Sequence, residues 1–151
     1  MAVKIAKREV TKLNCCGGVR ESIKIAGRTF VCKKAPQWET VWSGSQSFTE
    51  SGSFTVSGLS ASDEAVFSAT VDFIAYVYDE HAGDWQAYNY TDTVTDGSFP
   101  RTATNGYANV YFTRSGNVIN FTFEPCQEEY KGYVSYTAPQ TVTFTSVKKK
   151  V

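Results

Sequence analysis

Proline is scarce, with 4 in 151 residues, and histidine and methionine each occur once. No stretch approaches the ~20 apolar residues needed to cross a membrane as a helix. Helical periodicity is nearly absent too. Its one weak starter, Ser60-Ala61-Ser62-Asp63-Glu64, has a composition more often found in turns. A single histidine, His81, leaves a Ser or Cys nucleophile with one possible neutral-pH base. Gly-x-Ser-x-Gly, His-Glu-x-x-His and phosphate-loop patterns are missing. Adjacent carboxylates such as Glu128 and Glu129 point to opposite faces of a strand and so cannot flank one glycosidic bond. We therefore expect no catalysis and no cofactor.

Four cysteines, Cys15, Cys16, Cys32 and Cys126, lack the two-residue spacing of a zinc pair. Adjacent cysteines bridge each other only under strain, so these thiols read as reduced small hydrophobes, and no metal is expected. The loop Asp79-Glu80-His81-Ala82-Gly83-Asp84 offers hard oxygen donors without the ordered spacing of a calcium loop, and reads as a solvated hairpin turn. Charged residues at Lys4, Lys7 and Arg8 interrupt the place where a secretory signal carries its apolar run, which points to a soluble product of the cytoplasm.

The length suggests one domain, or one domain with a small appendage. A chain of this size buries roughly 70% of its unfolded surface, enough for a core. Lysines and arginines number 15, aspartates and glutamates 15, so the net charge is zero. That balance hides a division. Residues 1–37 hold nine basic and two acidic side chains, +7; residues 38–147 hold three basic and thirteen acidic, −10; Lys148, Lys149 and Lys150 supply the rest. Such asymmetry suggests separate partners for the two parts, and the expected boundary lies between residues 37 and 38. Lys4, Lys7, Arg8, Lys12, Lys24, Arg28, Lys33 and Lys34 form the candidate docking arm. The basic residues follow β-like alternation with only Phe30 to stack a base, so nucleic acid is not the expected partner.

Period two dominates the chain. Over 65–78, Ala65, Phe67, Ala69, Val71, Phe73, Ala75 and Val77 share one face, which means a strand with one dry side. Residues 107–114 and 117–123, joined through Ser115-Gly116, read as a hairpin. Further strands are expected at 19–25, 28–33, 39–43, 46–50, 53–56, 85–91, 133–136 and 141–147. Turn residues punctuate them, among them Gly44, Asp96-Gly97 and Pro139. The expected fold is all-β: an antiparallel β-sandwich or jelly-roll-like body over 38–151, preceded by a short β-hairpin arm in 1–37. A two-stranded hairpin is marginal alone, so the arm must pack on the body or on another chain. An edge-rich chain of this kind also favours homo-oligomers.

Three successive segments carry a resemblance: Ile23-Lys24-Ile25-Ala26-Gly27-Arg28-Thr29-Phe30-Val31-Cys32-Lys33-Lys34, then Trp38-Glu39-Thr40-Val41-Trp42-Ser43-Gly44-Ser45, then Gly52-Ser53-Phe54-Thr55-Val56-Ser57-Gly58-Leu59. Over residues 23–59 the chain resembles the opening of β-rich tail fibre, baseplate and receptor-binding proteins in phages of Gram-positive bacteria. The resemblance implies a virion structural role after assembly in the host cytoplasm, a homotrimer, contacts with other virion proteins, and adhesion to cell-surface polysaccharide without a membrane partner. The chain is short and has no collagen-like or heptad stalk, so a capsid decoration subunit is an alternative, and a free carbohydrate-binding module is another. Tyr76, Tyr78, Trp85, Tyr88 and Tyr90, with Asp79 and Asp84 in the loop between, are the candidate ligand-binding residues: aromatic planes stack on sugar C–H faces, and carboxylates accept hydroxyl hydrogen bonds. The competing reading pairs these rings across the sheet. Trp38 and Trp42 are expected in the core or a subunit interface.

Overall fold

The structure, a computed structural model, describes residues 22–25, 27–31 and 37–151. The chain divides into two compact units, Met1–Pro36 and Gln37–Val151. In the first, β1 (Ser22–Ile25) and β2 (Arg28–Val31) form an antiparallel hairpin that pairs Ser22 with Val31 and Ile25 with Arg28. Its turn uses Gly27 at φ 76°, a conformation glycine adopts without steric cost. Of the expected arm residues, Lys24 lies on β1 and Arg28, exposed, on β2; Lys4, Lys7, Arg8, Lys12, Lys33 and Lys34 lie outside the described residues, as do Cys15, Cys16 and Cys32.

The second unit is all-β and sandwich-like. Its strands are β3 (Trp38–Phe48), β4 (Gly52–Thr55), β5 (Ala65–Asp79), β6 (Asp84–Ser98), β7 (Arg101–Thr104), β8 (Asn109–Ser115), β9 (Val118–Glu124), β10 (Cys126–Tyr130) and β11 (Tyr133–Lys150). A five-stranded sheet runs β10-β11-β5-β6, with β3 also paired to β11; a four-stranded sheet runs β4-β9-β8-β7. Every pairing among the described residues is antiparallel. Along one edge of β11, Tyr133–Thr137 pair with β10 and Val142–Lys150 with β3, while β5 covers the other edge.

The pleat of β5 follows the expected alternation. Phe67, Ala69, Val71 and Phe73 are buried against the second sheet, with Val110, Phe112, Ile119 and Phe121 facing them and Val142 and Phe144 beside them on β11; Ala75, next on that face, is buried outside this cluster. Val77 departs from the pattern at 38% exposed, because no core residue of the second sheet reaches that far along β5. Trp42 is half-buried edge-on to Phe54, at 4.8 Å between centroids, whereas Trp38 is exposed.

Three expected breaks are absorbed into strands. Gly44 lies within β3 at a bulge, where Phe144 pairs with Gln46 and Ser146 with Ser43. Asp96-Gly97 borders a bulge in β6: Phe67 pairs with Gly97 and Ala69 with Val94, so Thr95 and Asp96 stand against Ser68 alone and β6 holds one extra residue. Asp96 takes φ 45°, which an aspartate tolerates better than most side chains, and its carboxylate accepts from Lys148 Nζ at 2.8 Å. A Cβ on Gly97 would collide with buried Val94, so this position has no room for a side chain. Pro139 sits at a register shift in β11, where the opposite edge exchanges β10 for β3; proline enters sheets at such irregular places because it lacks the ladder N–H. The three C-terminal lysines extend β11 instead of forming a tail, and Lys150 Nζ reaches Glu64 at 2.7 Å. In the β8–β9 hairpin the two turn residues are Gly116 and Asn117, one place later than expected, with Gly116 at φ 62° as a two-residue turn with glycine first requires.

Candidate functional site

The five-stranded sheet continues past its partner. From Tyr76 on β5, and along β6 from Asp84 to Thr91, nearly every side chain is exposed or half-exposed, and β10 extends the same end of the sheet. Two hairpin tips close it. At the first, Asp79 Oδ1 accepts from the backbone N–H groups of His81 at 2.8 Å and Ala82 at 3.2 Å, while Gly83 N–H donates to the Asp79 carbonyl at 2.8 Å. Asp84 Oδ1 accepts from Trp85 N–H at 2.7 Å. Each of these candidate carboxylates therefore spends one oxygen on its own turn. At the second tip Lys131 and Gly132 both take positive φ, 51° and 82°, as a tight two-residue hairpin demands. Lys131 Nζ links the tips at 3.3 Å from Glu80 and lies 5.1 Å from the Tyr130 ring centre. Among the described residues, no three His, Cys, Asp or Glu side chains gather as a metal site.

Directly paired residues share a face of a sheet, so the register assigns each ring. Tyr78 pairs with Trp85, and Tyr76 with Ala87 and Tyr136: Tyr76, Tyr78, Trp85 and Tyr136 occupy one face. Ala75 pairs with Tyr88 and Phe73 with Tyr90, which puts Tyr88 and Tyr90 on the opposite face. The five aromatic candidates therefore do not form one surface. A two-sided strip is the actual arrangement.

On the first face the rings engage one another. Tyr78 and Tyr133 stack at 3.9 Å with planes 7° apart, and Trp85 meets Tyr78 edge-on at 5.6 Å. The Tyr133 phenol, first, and then desolvation hold the Tyr78 hydroxyl above its ordinary titration range. Tyr133 thus belongs with this cluster.

The second face carries a recess. Ala75, Tyr90, Tyr107, Cys126, Glu128, Ser135 and Thr137 line a hollow of about 50 Å³. Six of these residues come from the projecting sheet, and Tyr107 comes from the β7–β8 loop of the other sheet. That loop is held in shape: Asn105 Oδ1 accepts from the N–H groups of Tyr107 at 3.2 Å and Ala108 at 3.0 Å, and Thr104 Oγ1 accepts from Gly106 N–H at 3.0 Å. Asn105 Nδ2 is buried with no partner. Sequence reasoning passed over this recess because strand pairing between distant segments brings six of its walls together and the second sheet adds Tyr107; Tyr107 and Cys126 carry no local signal of their meeting.

A wider hollow of about 440 Å³ runs along Pro100, Arg101, Thr102, Tyr111, Phe112 and Thr113. Its tyrosine is already occupied: Tyr111 O–H donates to Glu124 Oε2 at 2.6 Å, and Asn109 Nδ2 donates to the same oxygen at 3.0 Å. These bonds lower the Glu124 carboxyl, Tyr111 contributing most, and Glu124 in turn raises the Tyr111 phenol. The signs agree. A lowered carboxyl stabilises the fold above its unfolded value and ceases to as pH falls through the folded value; a raised phenol stabilises below its ordinary 10.0 and ceases to as pH rises past the folded value. Tyr111→Phe is expected to move the Glu124 carboxyl back toward 4.5, incompletely because Asn109 still donates, as followed by NMR titration of the Glu124 side chain. An unmoved carboxyl would mean that the phenol does not hold it.

The fold places the chain among antiparallel β-sandwich-like proteins. No family model, curated protein or solved structure matches it.

Proposed function

We propose that the chain is a structural protein of a phage tail or baseplate that contributes to host attachment by non-catalytic binding. The observation that carries this reading is the projecting end of the five-stranded sheet, which exposes Tyr76, Trp85, Tyr88, Tyr90 and Tyr136 to solvent. Exposed Tyr and Trp join an apolar ring to a polar tip and suit wet contacts with sugars or protein. Both faces of the strip are open, which favours a surface that grips a chain-like ligand over a pocket that encloses and converts a small one. The resemblance over residues 23–59 supplies the virion setting. The basic arm, +7 over residues 1–37, is the part that docks on other virion proteins, and the body forms the homotrimer.

Trp85→Ala tests the reading. Trp85 is 45% exposed, so its loss is expected to cost no more than the ~1 kcal/mol of a cross-strand pair. Adsorption of the purified protein to Gram-positive cell walls should fall while the melting temperature hardly moves. Wild-type adsorption by the variant, or no adsorption by either protein, would remove the attachment role. Sedimentation of the same samples at micromolar concentration should give three chain masses.

A further inference from the structure

We propose that the recess lined by Ala75, Tyr90, Tyr107, Glu128, Ser135 and Thr137 is a sugar subsite that holds the acetamido group of an N-acetylated pyranose, with the sugar ring lying across the tyrosines. The inference rests on the attachment reading and names the ligand class and the face. The rings on the two faces differ in what they already do. Tyr78, Tyr133 and Trp85 stack among themselves, whereas neither Tyr90 nor Tyr107 packs against another ring among the described residues. Tyr107 is 58% exposed and stands on a loop already fixed by Asn105 and Thr104, so little ordering remains to be done on binding.

Size decides what enters. A hollow of about 50 Å³ is well below the several hundred Å³ that encloses a whole ligand. Since a cavity needs about 10–15 Å³ of such space to hold one water, it admits a substituent of a few heavy atoms and leaves the ring outside. Its chemistry matches an acetamide on each side: the Glu128 carboxylate accepts the amide N–H, the Ser135 and Thr137 hydroxyls donate to its carbonyl, and the Ala75 methyl meets the acetyl methyl. A plain hydroxyl in that place would leave the apolar wall uncovered.

The test is an NMR titration of the full chain with methyl 2-acetamido-2-deoxy-glucopyranoside and, separately, methyl glucopyranoside. The acetamido glycoside is expected to shift the backbone signals of Tyr107, Ser135 and Thr137 and to bind about tenfold more tightly than its hydroxyl counterpart. Tyr107→Ala should weaken it by about tenfold. Ala75→Val, which fills the recess on a strand where valine is at home, should abolish the preference for the acetamide while leaving weak ring binding. Equal affinity for the two glycosides, or no shift with either, overturns the subsite. Shifts confined to Tyr76, Tyr78, Trp85 and Tyr136 overturn it too while leaving the attachment reading intact, since that reading stands or falls on cell-wall adsorption.

Discussion

Phe144→Ala is expected to lower the stability of the body by about 3–5 kcal/mol, the range for deleting a fully buried phenylalanine. Small proteins hold only about 5–15 kcal/mol in total, so the variant should sit close to unfolding at 37 °C. Phe144 is 0% exposed and has five aromatic neighbours. Phe48 and Phe67 come from its own sheet, while Phe54, Phe112 and Phe121 come from the other, with centroids between 5.2 and 6.1 Å away. Among the described residues no other ring meets so many rings of both layers. Its neighbours are themselves held by the pleat, so the cavity left behind cannot collapse readily, and the cost falls at the upper end for this chemistry. Urea denaturation followed by circular dichroism reads the loss as a lower midpoint with an unchanged slope. A loss under 1 kcal/mol would mean that Phe144 is not the point where the two sheets meet.

Arg114 should show the second large effect. Its guanidinium donates through Nη1 to the carbonyls of Ser60 at 3.1 Å and Gly116 at 2.7 Å, and through Nη2 to the carbonyl of Asp63. The segment from Gly58 to Glu64 carries the chain from β4 in one sheet to β5 in the other, so one side chain ties that crossover to the β8–β9 turn. The local turn is tied as well: Asp63 Oδ2 accepts from Ser60 N–H at 2.8 Å, the first cause of its lowered carboxyl. Arg114→Ala strips three carbonyls of a charged donor, and hydrogen bonds to charged groups contribute about 1.5–3 kcal/mol, so a loss of about that size in total is expected. Arg114→Lys should recover only part of it, because an ammonium is a point donor without the planar fork that serves three acceptors at once. Full recovery by lysine, measured by the same denaturation, would show that charge alone suffices there.

Several elements were legible in the residues and several were not, for reasons that can be named. The run from Ala65 to Ala75 announced its strand and its dry face because a pleat sorts side chains by position within one segment, without reference to any partner. The hairpin at Gly116-Asn117 and the turn at Asp79–Asp84 were equally visible through their glycines and carboxylates. By contrast β10, Cys126-Gln127-Glu128-Glu129-Tyr130, has no apolar alternation, and it is a strand because β11 offers an edge for its backbone. Strands β6 and β11 likewise run through Gly97 and Pro139, since pairing with β5 resumes beyond each local fault.

The candidate site divides in the same way. That tyrosine crowds the second half of the chain follows from the residues alone, and so does the parity of Tyr76 with Tyr78 and of Tyr88 with Tyr90, but the exposure of these rings does not. The same parity sets Tyr88 and Tyr90 on the face opposite Trp85, whereas the four-residue loop from Glu80 to Gly83, which pairs Tyr78 with Trp85 and Ala75 with Tyr88, decides that Tyr76 and Tyr78 join Trp85. Where the second sheet stops, exposing Val77 and bringing Tyr107 beside Tyr90, depends on how far two layers overlap. The sequence by itself determined an all-β chain, its turns and the dry side of β5, because period and turn chemistry act between near neighbours. Register, strand length through Gly97 and Pro139, and the recess on the second face were decided only by the tertiary structure, because they come from backbone ladders and layer contacts between residues tens of positions apart.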